Sequence, residues 1–391
     1  MAVAGIVAEY NPFHRGHAWH IAQTRKALGP GCAVVCAMSG HWVQRGECAL
    51  TDKWTRAAMA LRGGADLVLE LPTPWACASA ETFARGGVAV LAATRVVDTL
   101  SFGSESGDLD RLWDVAACLN TEVYRAGLRR FLDEGMPFAA CRHAVVRGLL
   151  GEKAAACLAS PNDNLGVEYL RALPPGMEAL AIPRKGVPHD GAESKSGFAS
   201  ASAIRNWLRQ GKIAQAEEYL SEPWQGDIAS MEWVERAVLS RLRSMTLEEA
   251  EQLPDSGEGL ARRLLAASRE AASLEDLYRL TKTKRYAHSR LRRLVLWAFL
   301  GMTEADRPTG IPYLRVLGLT GRGRDVLREM ARCSRIPVLA KPAHIRRLGP
   351  ESQSLFHLED RCTSLYGLCF PEPWTGSAEW TTSPVVLPES L

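Results

Sequence analysis

Two histidines close to the N-terminus carry the clearest chemical signal in this chain. Residues 9–17 read EYNPFHRGH, which places His14 and His17 three residues apart with Gly16 between them. The apolar residues 2–7 predict a buried strand, and a helix is predicted from Gly16 to about residue 27. The histidines then lie on the first helical turn, where unpaired backbone N–H groups and the helix dipole attract phosphate. The motif therefore predicts a nucleoside triphosphate site.

Transfer of a nucleotidyl group is the chemistry that suits this site. Negative charge develops on the α-phosphate and on the departing pyrophosphate, and preplaced donors such as two imidazoles stabilise it. Gly16 has no side chain and is predicted to leave room for a base or a ribose. Two other interpretations remain, namely ordinary turn histidines and a metal site with His20 as third ligand. The metal site is disfavoured, because positions 14 and 20 diverge on a helix and no acidic residue has suitable spacing.

Polar residues also follow the later predicted strands. Gly103 comes after a strand at residues 99–102, where a glycine permits close approach of a base. Asn162 suits a helix cap, and its amide can equally read an adenine edge or a ribose. Arg184 and Lys185 follow a strand at residues 180–182 and are candidate phosphate ligands.

The segment after the second predicted strand holds weaker candidates. Arg45 could reach a phosphate from the loop at residues 39–47. Lys53 and Arg56 fit phosphate contacts or a solvated basic face equally well. Glu70, near the end of a buried strand at residues 66–71, could face the ligand.

Residues 200–205, SASAIR, form a second candidate phosphate motif. Ser200 or Ser202 can cap the helix that follows, Ile204 can anchor it in the core, and Arg205 on its first turn can bind phosphate oxygens. Alone, such a string indicates only a helix start. Downstream of His-x-Gly-His, it resembles the second phosphate-binding signature of the HIGH nucleotidyltransferase superfamily.

A basic segment at residues 281–293 indicates contact with a nucleic acid. Lysines and arginines surround an aromatic residue there, a mixture that suits phosphate contacts and base stacking. The candidate RNA ligands are Lys282, Lys284, Arg285, Tyr286 and Arg290. A solvated basic helix start is the alternative, and arginines at residues 322–332 could extend the basic surface.

Composition limits the class of protein. The chain has 391 residues, 47% of them hydrophobic, and a formal net charge of +3, which is too small to indicate nucleic acid by itself. Its ten cysteines include no Cys-x-x-Cys pair, and no signal peptide or transmembrane run is recognised. We therefore expect reduced thiols, a cytoplasmic location and no membrane partner. Composition says nothing about the oligomeric state.

Strands and helices alternate through the first two hundred residues, which predicts an α/β, doubly wound parallel sheet of Rossmann-like type. Later residues read as amphipathic helices, including one at residues 207–219, with strands again at 311–319 and 337–340. We predict an ATP-binding domain at residues 1–210. The rest, residues 211–391, is predicted to be a helical, tRNA-binding region with a small mixed appendage.

The motifs together resemble the bacterial tRNA(Met) cytidine acetate ligase family. The resemblance is carried by residues 5–17, 39–53, 65–72, 102–108, 200–205 and 281–286. It implies an ATP-dependent enzyme that joins acetate to the N4 amine of the wobble cytidine of elongator tRNA(Met), through an acetyl-adenylate. Magnesium is expected to neutralise the phosphates. Acetate and the particular tRNA rest on the resemblance alone.

The resemblance also implies which residues form the site. His14, His17 and Arg205 are the expected catalytic groups. The expected ATP ligands are Val7, Ala8, Glu9, Tyr10, Asn11, Pro12, Phe13, His14, Arg15, Gly16, His17, Ala18, Trp19, His20, Gly103, Asn162, Arg184, Lys185 and Ser202. A small-molecule adenylyltransferase and a non-catalytic RNA-binding protein remain the alternatives. No protein ligand to a metal is assigned.

Overall fold

The structure is a computed structural model, and it describes residues 2–184 and 197–388. Its strands are β1 (Val3–Ala8), β2 (Ala33–Ser39), β3 (Trp42–Val43), β4 (Glu47–Cys48), β5 (Leu67–Leu71), β6 (Thr99–Ser104), β7 (Glu178–Pro183), β8 (Leu314–Leu319), β9 (Val338–Leu339) and β10 (Val385–Val386). Strands β3 and β4 form a separate antiparallel hairpin, and the others share one sheet.

A parallel core runs through this sheet in the order β5-β2-β1-β6-β7. Every residue of β2 and β5 is buried, as expected for strands covered by helices on both faces. The strand order reverses at β1, because β2 leads away on one side and β6 on the other. The predicted doubly wound, Rossmann-like fold is confirmed, and ligands of such folds bind at this reversal, beyond the carboxyl ends of the strands.

The late strands do not form a separate appendage, which corrects the sequence prediction. Strand β8 pairs antiparallel with β5 at the edge of the parallel core, and β9 and β10 each pair with β8. Residues from both sides of position 210 therefore share one sheet. The functional division at residue 210 stays a prediction.

The helices are α1 (Arg15–Leu28), α2 (Lys53–Arg62), α3 (Thr73–Ala76), α4 (Ala80–Ala93), α5 (Leu109–Leu119), α6 (Glu122–Asp133), α7 (Phe138–Leu150), α8 (Glu152–Ala159), α9 (Pro161–Ala172), α10 (Ala201–Arg209), α11 (Ile213–Glu217), α12 (Glu235–Ser244), α13 (Leu247–Glu251), α14 (Leu260–Glu270), α15 (Leu274–Thr281), α16 (His288–Leu300), α17 (Gly321–Cys333), α18 (Pro350–Tyr366) and α19 (Ala378–Thr381). The helix predicted at residues 207–219 is two helices, α10 and α11, because a turn with Gly211 at φ +71° separates them.

The second half packs around α16. From Leu294 to Leu300 every residue of α16 is buried, as expected for a helix surrounded by other elements. It contacts α12, α15 and α18. In the part of the chain that the structure describes, no helix is long and apolar enough to cross a bilayer. All ten cysteines are free, and all but Cys333 are buried.

Candidate nucleotide site at the strand reversal

His14 is the N-cap of α1, directly beyond the carboxyl end of β1. Its backbone is extended, at φ −142° and ψ 172°, and its Nδ1 accepts a hydrogen bond from the Gly16 N–H at 3.0 Å. The backbone N–H of His14 donates in return to Nδ1 of His17, at 3.2 Å. The two rings stack with centroids 3.7 Å apart. This reciprocal cap uses imidazoles where serine or threonine and glutamate are usual.

The cap decides which ring nitrogens carry the protons. Because Nδ1 of His14 and Nδ1 of His17 each accept a backbone N–H, each neutral ring carries its proton on Nε2. Burial, together with smaller effects of nearby Arg184 and Arg205, lowers the pKa of His14 to about 3. Burial, with smaller effects of His14 and Arg184, also holds the pKa of His17 well below its usual value. Both rings are therefore uncharged Nε2–H donors at neutral pH.

Gly16 allows the cap to form, whereas the predicted approach of a base or a ribose to its backbone stays a prediction. A Cβ at this position would lie 2.8 Å from Cε1 and 3.0 Å from Nδ1 of His14. The space beside the glycine is therefore filled by the His14 ring. Without a side chain at position 16, the backbone N–H can approach the ring closely enough to donate to it.

Helix α10 brings the second predicted phosphate motif to the same place. Ser200 is its N-cap, since its hydroxyl accepts from the Ala203 N–H at 3.2 Å. The Ser202 hydroxyl instead accepts from Nη2 of Arg205 at 3.0 Å, and Nη1 of Arg205 donates to the Asn11 carbonyl at 2.8 Å. Arg205 therefore joins α10 to the loop that carries His14.

Gly103, Asn162 and Arg184 meet on the other side of the strand reversal. A Cβ on Gly103 would lie 3.4 Å from Cγ of Arg184, whose Nη1 donates to the Asn162 side-chain oxygen at 3.2 Å. Glu105 accepts from the Asn162 side-chain amide at 2.5 Å and from the Asp163 backbone N–H at 2.8 Å. Neither Glu105 nor Asp163 was predicted from the sequence to belong to the site. Their positions in the sequence could have indicated them, because Glu105 lies two residues after Gly103 and Asp163 directly follows Asn162.

The other residues predicted to bind ATP differ in how exposed they are to solvent. Tyr10 is 2% exposed and Phe13 is fully buried, so neither residue presents an accessible surface to a nucleotide in this structure. The Arg15 backbone N–H donates to the Tyr219 carbonyl and its Nε to the Leu220 carbonyl, which directs this arginine toward the residues that follow α11. Val7 and Ala8 of β1 and the following Glu9 are half-buried. Ala18, Trp19 and His20 on α1 are also half-buried. Asn11 and Pro12, in the loop between them, are buried. Lys185 lies outside the described residues.

Lys53, Arg56 and Glu70 are structural, which corrects both sequence interpretations of the two cations. All three side chains are buried. The Lys53 ammonium donates to Glu70 at 2.7 Å and to Glu379 at 2.6 Å. The Arg56 guanidinium donates to the carbonyls of Glu9 and Ser39, at 2.6 Å and 3.1 Å. Arg56 therefore ties the loop after β1 to the end of β2. Arg45 lies exposed between β3 and β4.

The basic segment at residues 281–293 is partly internal. Tyr286 is 6% exposed and its hydroxyl donates to the Glu258 carbonyl at 2.7 Å, so the stacking role predicted for this ring is not supported. The Lys282 ammonium donates to the Thr283 and Tyr286 carbonyls, each at 2.6 Å. Arg285 and Arg290 both pair with Glu258. Lys284 is exposed and has no ion-pair partner among the described residues.

A cavity of about 790 Å³ lies beside this segment. It contains three arginines, Arg85, Arg293 and Arg307, but also four carboxylates, those of Glu81, Glu251, Asp255 and Glu304. None of the predicted ATP ligands lines it. The balance of charge gives no preference for an anion, so we assign no ligand to this cavity.

Comparison with known proteins agrees with this geometry. The family model described as HIGH Nucleotidyl Transferase matches residues 1–379, and the chain belongs to this family. Its relatives include the tRNA(Met) cytidine acetate ligase of Thermoanaerobacter sp., 34% identical over 392 residues, which cover 95% of this chain and 96% of that protein. The ligase of Syntrophomonas wolfei is 33% identical over 415 residues, covering 98% and 99%. Within the HIGH family, the chain is thus a member of the tRNA(Met) cytidine acetate ligases.

Two solved structures of Thermotoga maritima TmcAL extend the likeness to three dimensions. Each is 30% identical in sequence and covers 99% of this chain and 100% of its own. The apo form aligns with a TM-score of 0.93, and the form bound with alpha-thio ATP aligns with a TM-score of 0.89.

Proposed function

We propose that this protein is an ATP-dependent ligase that acetylates the wobble cytidine of elongator tRNA(Met). The observation that carries the proposal is the meeting of two neutral Nε2–H donors, His14 and His17, with two arginines, Arg184 and Arg205, at the strand reversal. The names of the full-length relatives supply the two substrates, acetate and tRNA(Met). The solved TmcAL bound with an ATP analogue supports ATP as the nucleotide.

In the first step, a carboxylate oxygen of acetate attacks the α-phosphorus of ATP and pyrophosphate leaves. The products are acetyl-adenylate and pyrophosphate, and charge grows on the phosphate oxygens as they separate. Neutral histidines donate hydrogen bonds to these oxygens without a change of protonation, and the arginines supply positive charge. No protein nucleophile is required.

In the second step, the N4 amine of cytidine attacks the acetyl carbonyl carbon, AMP leaves and the amine loses a proton. The tRNA must therefore bring its wobble base to the strand reversal. Lys284 and Arg285, exposed in the connection between α15 and α16, support the proposal of a tRNA contact in the second half of the chain. Lys282 and Arg290 belong to the same segment, although internal bonds occupy much of their donor capacity.

Magnesium belongs to this proposal as a companion of the triphosphate. In residues 2–184 and 197–388 there is no group of three or more His, Cys, Asp or Glu side chains that could hold a metal ion. Mg²⁺ commonly binds through substrate phosphates and keeps several waters, which fits a site without a protein cage. When bound, it would neutralise phosphate charge. A cytoplasmic location is also proposed, and the free cysteines support a reducing compartment.

The test is acetylation of tRNA by the purified protein. We expect N4-acetylcytidine in digested elongator tRNA(Met) after incubation with ATP and isotope-labelled acetate, detected by mass analysis of the nucleosides. Omission of acetate should abolish both the product and the release of AMP. Adenylation of a small molecule without modified tRNA would indicate a small-molecule adenylyltransferase. Binding of tRNA without ATP turnover would indicate a non-catalytic RNA-binding protein.

A further inference from the structure

The start of α9 receives its cap from the loop after β6. Among the residues that the structure describes, Ser160 is the N-cap of α9 but makes no capping hydrogen bond with its side chain, and Pro161 follows it. A helix start leaves backbone N–H groups unpaired, and the helix dipole favours a carboxylate there. Glu105 supplies it, because Oε1 accepts from the Asn162 N–H at 3.2 Å and Oε2 accepts from the Asp163 N–H at 2.8 Å. The cap therefore comes from a residue 57 positions before Asn162.

Asp163 binds the loop that carries Glu105 in return. Its Oδ1 accepts from the Ser104 hydroxyl at 2.5 Å and from the Glu105 N–H at 3.0 Å, and its Oδ2 accepts from the Ser106 N–H at 3.1 Å. Asp163 is 2% exposed, so little water competes for these bonds. We call this reciprocal arrangement of Glu105 and Asp163 the β6–α9 clasp. Because each carboxylate binds backbone N–H groups of the other segment, the clasp fixes the Glu105 side chain relative to α9.

The clasp also sets the direction of the Asn162 side-chain amide. The amide nitrogen donates to Oε1 of Glu105 at 2.5 Å, and the amide oxygen accepts from Nη1 of Arg184 at 3.2 Å. A carboxylate can only accept and a guanidinium can only donate, so the reverse orientation of the amide would lose both bonds. The Arg184 backbone is held as well, since its N–H donates to the Ser104 carbonyl at 2.9 Å. Glu105 therefore acts on Arg184 through Asn162.

Arg184 gains from this support because its side chain is exposed just beyond β7. A long exposed side chain samples many rotamers, and it loses this freedom when it binds a ligand. The hydrogen bond to Asn162 restricts the guanidinium before a nucleotide arrives. Donors that are already in place stabilise developing charge better than donors that must first be ordered. Glu105 has the wrong charge to bind a phosphate itself, so its contribution to ATP turnover must come from this restriction.

We propose that Glu105 is a positioning residue of the nucleotide site, which holds Asn162 and through it Arg184 in the geometry that meets the phosphates. The inference rests on the proposed function, since it takes ATP as the substrate. A role of the Glu105 charge alone would have the opposite sign, because removal of a negative charge beside an anionic ligand should tighten binding.

The first test removes the acceptors of Glu105 and measures acetate-dependent release of pyrophosphate. Glu105→Gln keeps the size of the side chain and one acceptor oxygen, whereas Glu105→Ala keeps neither. We expect kcat/KM for ATP to fall about threefold in the first variant and about tenfold in the second, as hydrogen bonds are lost. Glu122→Gln, which removes an exposed carboxylate from the first turn of α6, is the matched control and should leave kcat/KM unchanged. Unchanged or higher kcat/KM in Glu105→Ala would overturn the proposal.

The second test separates positioning from support of the fold. Arg184→Ala removes the side chain on which Glu105 is proposed to act. In that background, Glu105→Ala should change kcat/KM for ATP by less than about twofold, because the two effects are coupled. A purely structural role would give the same tenfold loss in both backgrounds, and that result would overturn the proposal. Melting temperatures identify any variant that has failed to fold, and Glu105→Gln then replaces Glu105→Ala in the comparison.

The wild-type protein distinguishes this inference from the proposed function. Absence of acetate-dependent pyrophosphate release in the wild type would overturn both. Release by the wild type that is unchanged in the Glu105 variants would overturn the positioning role alone and leave the proposed function intact.

Discussion

At the scale of single residues, the candidate site contains both neutral and charged hydrogen-bond donors. The histidines of the cap are uncharged because burial disfavours the imidazolium, and Arg184 and Arg205 carry the positive charge. Neutral N–H donors tolerate both the triphosphate and the adenylate. In the proposed mechanism, their contribution to the rate therefore depends on their position, which the reciprocal cap fixes.

We predict that His14→Ala and His17→Ala each slow the formation of acetyl-adenylate at least about tenfold. Each removes a donor that acts mainly in the transition state, a loss on the order of 2–4 kcal/mol. The measurement is acetate-dependent release of pyrophosphate. His17→Gln, whose amide nitrogen can replace Nε2 as a donor, is the matched variant and should recover part of the rate. Normal rates in both alanine variants would refute the phosphate role.

The same buried histidines predict how stability depends on pH. The unfolded pKa is about 6.5, whereas the folded pKa is about 3 for His14 and about 4 for His20. The unfolded chain therefore binds protons first as the pH falls below about 6.5. The free energy of unfolding should fall below that pH, by up to about 1.4 kcal/mol per pH unit for each such histidine. Urea unfolding at pH 7, 6 and 5 measures this slope, and His20→Phe should make it smaller.

At the scale of elements, the loop after β1 is held from three directions. Arg56 on α2 donates to the Glu9 carbonyl, Arg205 on α10 donates to the Asn11 carbonyl, and the Leu50 N–H donates to the Asn11 side chain at 2.7 Å. These contacts hold the loop that leads to His14 at the start of α1. Its precision comes from these anchors, since most of its own residues make no regular structure.

Gly16→Ala tests the fit between the loop and the helix. The added methyl group would lie 2.8 Å from the His14 ring, so the ring must move and its hydrogen bond to the helix start is lost. We expect a loss of about 1 kcal/mol of stability, as for other N-cap losses, and slower adenylate formation. Gly148→Ala, within α7 and with no atom within 4 Å of the new methyl, is the matched control and should leave both unchanged or raise stability. Equal effects of the two substitutions would contradict the fit.

At the scale of the whole molecule, the two halves are joined through buried contacts. Trp42 on the β3–β4 hairpin donates to the Cys362 carbonyl at 3.0 Å, and the hairpin glycine Gly46 packs against the backbone of α16. Lys53 on α2 pairs with Glu379, which is 326 residues away in the sequence. The nucleotide site and the basic segment therefore belong to one folded unit.

A fragment of residues 1–210 is accordingly predicted not to fold as a stable domain. It would lack β8, which covers the edge of β5, and it would leave the fully buried Lys53 without Glu379. Glu70 would remain as a partner of Lys53, but loss of one partner from a buried ion-pair network costs several kcal/mol. Circular dichroism and proteolysis of the fragment, alone and co-expressed with residues 211–391, measure this. A cooperative unfolding transition in the isolated fragment would support an autonomous domain instead.

Replacement of Lys284 and Arg285 by alanine tests the proposed tRNA surface. Acetyl-adenylate formation should persist, because neither side chain lies at the strand reversal, whereas acetylation of tRNA should fall. The slope of log affinity against log salt concentration should become shallower by up to about two units. The reason is that each phosphate no longer contacted keeps its counterions, so fewer ions are released on binding. Arg328→Ala with Arg332→Ala on α17 tests the alternative surface. A wild-type salt slope in the first variant and a reduced one in the second would place the tRNA along α17.

Local patterns were enough to predict much of this molecule. The parallel strands and α1 follow from apolar runs, and the two phosphate motifs follow from residues that are neighbours in sequence. Such features depend on interactions over one or two turns, which spacing alone reveals. Strands β8 and β9 were predicted as strands and β10 was not. The pairing of the late strands was not predicted, because nothing local distinguishes an edge strand of the main sheet from a strand of an appendage.

The remaining features of the site and the fold depend on contacts between residues that are distant in the sequence. Lys53 and Arg56 are residue types typical of a solvated basic face, yet both are buried. The fold brings Glu379 next to Lys53 and the carbonyls of Glu9 and Ser39 next to Arg56, and these groups compensate for the loss of water. The interior position of Tyr286, the filled space beside Gly16 and the proton positions on the histidines likewise require coordinates. A residue type specifies which hydrogen bonds a side chain can make. The fold alone determines which groups come close enough to use them.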